Sequence, residues 1–531
     1  MTVRRLLVLF AACGSLTACN WITGAAGLEA GDPAEDDTSG PGAGPGPVGA
    51  GGSMGVGAGS SVGGGAGVGG AGVGGDPDPP VEMSPVDGVT MSRIAIYQSV
   101  ERLLMEGGNS ASSTAPVVAG RPALLRVFYS VDGGYNGQPV VARLTIGSGQ
   151  PIEMQTTLSG SSSAGNLGST LNFDVDPALL TPGAGYRVEL LQASELTSGG
   201  NTGAIYPSSG QADLDVEVGG GLKVTLVPIQ YNGDGSGRMP DTSAGQLKAY
   251  EDLFFAMYPI TDVQISVRQA FNWSQSVQAG GNGWNNLLNA IADLRQNDNA
   301  PFDEYYYGIF NPADSFNSYC SGGCVTGLGF VGGPSDDSSH AAIGVGFSGG
   351  TSVDTAVHEV GHNHGRPHAP CGNVSGADGS YPYSNATLGV WGFNLLSGQL
   401  YGPNDYRDMM SYCDPPWISD YQYDKIFERV QFTNNASIQV PPSMQNLTWD
   451  RVELGPNGTT TPMSAITMHH PPMSNPVAVT VDGSGGPTQV TGHFLPYDHL
   501  PGGVLYVPPT SSGPKLIHAQ VAGTLVNALL P

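Results

Sequence analysis

The chain has 531 residues, of which 45 are acidic and 19 basic, for a formal charge of −26; such an excess of negative charge repels polyanions and argues against a nucleic-acid partner. Its 81 glycines exceed what packed domains of this length use, so part of the chain is expected to lie outside any core.

In chain order, Arg4-Arg5 and the apolar run 6–12 form the basic and hydrophobic front of a secretory signal, too short to persist as a spanning helix. Leu16-Thr17-Ala18-Cys19 resembles the bacterial lipobox, whose cysteine is lipidated and becomes the first mature residue. The expectation is a signal peptide over residues 1–18 and a lipid anchor on Cys19 that holds the protein on a membrane without a transmembrane segment. Asn20 leans toward the outer membrane or cell surface, and cleavage after Ala18 into a secreted protein is the alternative. Residues 19–84 are mostly Gly, Ala, Pro and Ser with almost nothing large and apolar, which predicts a disordered tether. About sixty such residues reach roughly 40 Å.

The remaining length is too great for one domain. Residues 85–219 carry alternating runs, Arg93-Ile94-Ala95-Ile96-Tyr97 among them, and predict an all-β, sandwich-like domain. Over 220–434 strand and helix patterns alternate: strands at Leu222 to Ile229, Val263 to Val267, Tyr305 to Phe310 and Ala341 to Phe347, helices at Gln246 to Tyr258 and Trp284 to Leu294. Asn232 to Gly237 offers alternating oxygens like a Ca2+ loop but lacks the closing glutamate of an EF-hand, so a β-to-α turn is the preferred reading. Thr326-Gly327-Leu328-Gly329-Phe330 fits a short strand or a plain loop. Residues 435–531 hold short strands between Pro and Gly turns and predict a second β domain. Neither flanking unit shows a catalytic constellation, and His469, His470, His493, His499 and His518 look scattered and without a metal role.

The chemistry concentrates at His358-Glu359-Val360-Gly361-His362-Asn363-His364-Gly365-Arg366-Pro367-His368. On a helix, His358 and His362 stand one turn apart and can share one metal ion. Gly365 accepts the left-handed conformation that ends the helix and returns the chain, which brings in His368 as third ligand. Three ligands leave a fourth position open, the mark of a catalytic zinc. Glu359 sits beside the metal without binding it, placed to take a proton from the attacking water and pass it to the leaving amine. His364 falls outside the ligand spacing and is expected to face a second layer or solvent.

This pattern resembles the metzincin clan of zinc endopeptidases, and Asp408-Met409-Met410-Ser411-Tyr412-Cys413 is similar to the methionine-containing turn beneath the metal in that clan. The resemblance implies Met410 as the turn residue, with Met409 as the alternative, and Tyr412 as a donor to the developing oxyanion. It also implies that Thr326 to Phe330 is the edge strand that binds an extended peptide. The expected fold is therefore multidomain: an α+β, metzincin-like catalytic domain of mixed sheet and active-site helix, flanked by all-β domains. With the lipobox and β domain, the chain looks most similar to bacterial mucin-degrading lipoprotein peptidases. That implies one zinc ion and extracellular protein substrates, glycoproteins among them. An idle, zinc-containing surface binding or adhesion protein is the alternative, against which the retained Glu359 argues. Cys413-Asp414-Pro415-Pro416-Trp417 departs from any subsite the resemblance supplies. No cysteine lies between Cys19 and Cys320, so a thiol-based latency switch on an N-terminal segment is absent.

Four cysteines fall in the presumed catalytic domain and permit three pairings. Cys371 follows the third ligand and Cys413 the methionine turn, each by three residues, which favours Cys371 with Cys413 and Cys320 with Cys324. A structural zinc on all four is the competing reading, weakened by the missing paired Cys-x-x-Cys spacing.

Overall fold

The computed structural model describes residues 82–197, 201–435, 445–455, 458–470, 472–510 and 513–531. The expected signal peptide, Cys19 and nearly all of the tether lie outside these residues.

The N-terminal unit is built from two antiparallel sheets. In one, Gly185–Ala193 pairs with Met83–Pro85 and Val140–Ile146. In the other, the long strand Val89–Glu106 pairs with Ala123–Val131. Alternate residues point inward, as the period of two requires, so Ile94, Ile96, Leu125 and Val127 share one core with Ala142, Leu144, Val188 and Leu190. The expected boundary at 219/220 does not separate this unit from the next. Gly392–Asn394 and Gln399–Tyr401 return from far downstream and extend its second sheet, with Gly392 opposite Val100. Arg121, fully buried, donates to Ile260 O at 2.6 Å and Phe255 O at 2.5 Å and so ties the two units together.

The middle unit is a mixed sheet between helices. Its elements are β1 (Leu222–Tyr231), α1 (Ala244–Met257), β2 (Val263–Val267), α2 (Trp284–Asn297), β3 (Glu304–Phe310), β4 (Gly327–Gly329), β5 (Ala341–Val345), α3 (Gly350–Asn363) and α4 (Asp420–Asn435). The order across the sheet is β2-β1-β3-β5-β4; β4 alone is antiparallel to its neighbour and forms the edge. Along β3, Tyr305, Tyr307 and Ile309 face α1, α3 and α4, while Tyr306 and Phe310 face α2, so each face of the sheet has its own core.

In the C-terminal unit a seven-stranded antiparallel sheet contains β6 (Leu447–Leu454), β7 (Gly486–Pro496) and β8 (Gly503–Val507). It is not a separate body. Trp449, Met468, Leu495 and Tyr506 pack in one cluster with Trp284, Leu287 and Ile291 of α2, and Arg451 pairs with Asp293 of α2 at 2.5 Å.

Candidate metal centre

Helix α3 presents His358 and His362 on one face, then stops where the chain needs to turn. Gly365 has φ +78°, and its N–H donates to His362 O at 2.8 Å while Arg366 N–H donates to Gly361 O at 3.1 Å. These bonds satisfy the last carbonyls of the helix and set His368 beside the other two imidazoles.

Each ring is fixed by its Nδ1. His358 donates to Met409 O at 2.7 Å, His362 to Arg366 O at 2.6 Å and His368 to Ser375 O at 2.8 Å. A carbonyl can only accept, so the protons are assigned to Nδ1 and all three Nε2 atoms carry bare lone pairs. Yet His362 Nε2 lies 3.1 Å from His358 Nε2 and 3.2 Å from His368 Nε2. Three lone pairs this close repel unless a cation lies between them. Tetrahedral zinc with Zn–N bonds of about 2.0–2.1 Å spaces its nitrogens about 3.3–3.4 Å apart, so the residues fit the metal. Burial pushes His358 down to about 3, with His499 adding to the shift, and holds His362 well below the usual imidazole range. The rings therefore stay neutral, the form a metal binds.

Glu359 is buried beneath the edge strand. A Cβ on Gly327 would stand 2.2 Å from its Oε1, so glycine is needed there for β4 to pass so close, and one on Gly329 would be a tight 3.3 Å from its Oε2. Thr326–Phe330 is thus a strand rather than a plain loop at its centre. Burial pushes the Glu359 carboxyl up to about 8, partly offset by contact with Asp498, which is the range of a group that exchanges protons near neutrality.

Met410 lies directly under α3: a Cβ on Gly361 would meet its sulfur at 2.5 Å. Asp408 holds the turn by accepting from Met410 N–H at 2.8 Å and Ser419 N–H at 2.9 Å. Met409 contributes the carbonyl that orients His358, while its side chain packs in the core and lines the cavity beside the site. Tyr412 stands over the histidines, 4.8 Å from the His368 ring. Cys371–Cys413 and Cys320–Cys324 are both bridged, with Cα separations of 5.8 and 4.9 Å, which leaves these four sulfurs unavailable as ligands for a structural zinc. His364 is buried rather than solvent-facing, donates to Val360 O at 2.8 Å and stacks on Tyr305. It takes no part in the metal group. Asn232 to Gly237 is a turn in which Asp234 pairs with Arg238 and accepts from Ser236 N–H, so the Ca2+ reading has no support.

One expectation is corrected. The C-terminal unit does supply residues to the site: Asp498 and His499 lie among the ligands, with Asp498 Oδ2 3.3 Å from His362 Nε2 and His499 Nε2 2.9 Å from Glu359 Oε1. Tyr412 OH is hydrogen-bonded to His499 Nδ1. Local ligand spacing is blind to residues 140 positions away in sequence from Glu359. The signal available was Tyr497-Asp498-His499, a polar pair between an apolar strand and the turn Pro501-Gly502-Gly503. His469, His493 and His518 lie outside this group.

Residues 331–414 match the family model of Peptidase M66. That family is zinc-dependent, and the match supports a peptidase. It spans α3, the three histidines, Glu359 and the methionine turn, takes in only the returning strands Gly392–Asn394 and Gln399–Tyr401 of the N-terminal unit, and stops short of the C-terminal unit with Asp498 and His499. A comparison with curated proteins gave no match.

Proposed function

We propose that the protein is a metzincin-like zinc endopeptidase that hydrolyses peptide bonds of extracellular proteins, glycoproteins among them. The observation that carries this reading is the convergence of three unprotonated imidazole nitrogens beside one buried carboxyl whose affinity for protons is raised. His358, His362 and His368 would hold the zinc, which when bound would supply Lewis acidity to a peptide carbonyl and to water. Glu359 takes the proton from the attacking water and delivers it to the amine nitrogen as the C–N bond breaks, so the same carboxyl serves as base and then as acid. Tyr412, when its hydroxyl is not engaged by His499, is placed to donate to the oxygen that becomes negative. The backbone of β4 would suit an extended substrate main chain on displacement of Pro496–Asp498, which pairs with Gly329 to Val331 in the structure. Attachment through Cys19 to an outer membrane or cell surface belongs to the same proposal. Among the described residues no helix is long and apolar enough to cross a membrane.

The test is zinc stoichiometry together with peptide-bond cleavage in a mixture of native and heavily O-glycosylated proteins, read as new termini by mass spectrometry. The Glu359→Ala chain should keep one zinc and lose hydrolysis by several orders of magnitude, while His362→Ala should lose the metal. A chain that binds no zinc, or a Glu359→Ala protein that cleaves like the wild type, would sink the proposal.

A further inference from the structure

The run from Cys413 to Trp417, for which the metzincin resemblance supplies no subsite, contributes Cys413, Asp414 and Pro416 to the wall of a cavity beside the metal centre. The cavity holds about 110 Å3, and His358, Glu359 and Tyr412 line it as well. A side chain seated there belongs to a residue next to the bond being cut. Much of the remaining wall is apolar: Leu253 and Met257 of α1, Val357 of α3, Phe316 and Met409. Such a wall suits a hydrocarbon stem.

Two carboxyls break this apolar lining. Asp354 precedes the first histidine, His358, by one helical turn and shares its face of α3. Asp414 follows Cys413, which is bridged to Cys371, and the chain just beyond it is held where Pro416–Trp417 pairs with Arg407–Asp408. Both acids are exposed, and among the described residues neither carboxyl meets a Lys, Arg or His or accepts a hydrogen bond. Exposed acids elsewhere on the chain, such as Asp215 with Arg102 and Asp234 with Arg238, have their arginines. Water reaches Asp354, yet the protein around it desolvates its carboxyl, and with the charge of Asp414 added its pKa rises to about 6. Desolvation raises Asp414 too. Two partly desolvated like charges without a counter-charge are unfavourable together, and a cation between them relieves both.

We propose that this cavity is a specificity pocket for a basic side chain: its apolar walls take the methylene stem of a lysine or arginine, and Asp354 and Asp414 take the charged head. The inference rests on the zinc-peptidase reading and adds the class of substrate to it, a peptide with a basic residue beside the scissile bond. Lysine and arginine carry both parts, stem and head, in one side chain. An acidic side chain in the same place meets two like charges, and a purely apolar one desolvates both carboxylates further without pairing them. The acids stand on a helix and beside a disulfide, so little ordering is needed on binding. The formal charge of −26 draws basic peptides to the molecule as a whole.

The experiment has two arms, both on the full-length, zinc-loaded protein. In the first, n-butylguanidinium, which stays protonated and cannot ligate the metal, is compared with its neutral isostere n-butylurea by saturation-transfer NMR. The wild type should bind the cation about tenfold or more tighter than the urea, and the double variant Asp354→Asn, Asp414→Asn should bind the two alike. In the second, a peptide library is digested and the new termini are read by mass spectrometry. Lysine or arginine should flank the cut bond with a preference of about tenfold or more in kcat/KM, which the double variant loses. Should the double variant fail to fold, Asp414→Asn alone, at an exposed loop position, should show a partial loss of both preferences. Equal binding of the two probes by the wild type, a preference that survives in the variants, or termini without basic enrichment overturns the pocket and leaves the peptidase reading standing. Selective binding of the cation that the variant loses, with no cleavage by the wild type, upholds the cation pocket and counts against the peptidase reading instead.

Discussion

At the scale of single residues, the site depends on what is small as much as on what is reactive. Gly327 lets the edge strand pass over Glu359 at a distance no side chain would permit. Gly327→Ala should therefore push the Glu359 carboxylate aside while leaving the three histidines in place. We expect retained zinc and a fall in kcat/KM of about a hundredfold, the scale of a misplacement near 1 Å. Gly322→Ala is the control, since a Cβ there meets nothing within 4 Å; equal losses in the two would remove the packing explanation. The ligands were legible in sequence because helix geometry alone fixes the relation of His358, Glu359 and His362. Asp498 and His499 were not, because only the course of a strand in another unit brings them there. His364 shows the converse: it sits inside the motif, yet it is turned back into the core against Tyr305.

At the scale of elements, the loop after α3 and the methionine turn are separate pieces of chain that must stay in register if His368 and Tyr412 are to face one metal. Cys371–Cys413 joins them across 42 residues, and Gly372 brings the backbone so close that a Cβ would lie 2.6 Å from Cβ of Tyr412. Replacing both cysteines with serine should lower stability by about 2–4 kcal/mol, chiefly by freeing the unfolded chain. It should weaken zinc binding as well, because the third-ligand loop loses its anchor. Chemical denaturation and zinc titration of the double variant check this; unchanged stability and affinity would show that backbone hydrogen bonds such as Ala369 N–H to Met410 O hold the two pieces unaided. Helices and buried strands were readable from periodicity to within a few residues: the pattern at Gln246 to Tyr258 corresponds to the helix Ala244–Met257. The hairpin of Gly392–Asn394 and Gln399–Tyr401 was not, since strands of three residues carry no period and take their conformation from the long strand Val89–Glu106 beside them.

At the scale of the whole molecule, the seam between α2 and the C-terminal sheet is a structural core, and its polar end makes stability depend on acid. Asp337 is buried; burial pushes its carboxyl up, but Arg295 at 2.5 Å and then His470 and His340 outweigh that and hold it below the usual carboxylate range. Arg295 rises from α2 and His470 belongs to the C-terminal unit, so protonating Asp337 loosens the contact between units. A carboxyl whose folded pKa is depressed stabilises the fold at any pH above its unfolded value, about 3.9. That contribution is lost as pH falls from there through the lower folded value. Unfolding free energy of the wild type should therefore decline steeply below about pH 4. Asp337→Asn should be less stable at neutral pH, by about 3–5 kcal/mol because Arg295 is left buried without its counter-charge. It should nevertheless show a shallower decline between about pH 4 and 2. Parallel curves for the two proteins would mean that other carboxyls carry the acid response. A coincident loss of bound cobalt and of Trp fluorescence on acidification would mark the seam and the metal site as one cooperative unit, as expected where Trp284 and Trp449 share a core and the strand that leaves it carries Asp498.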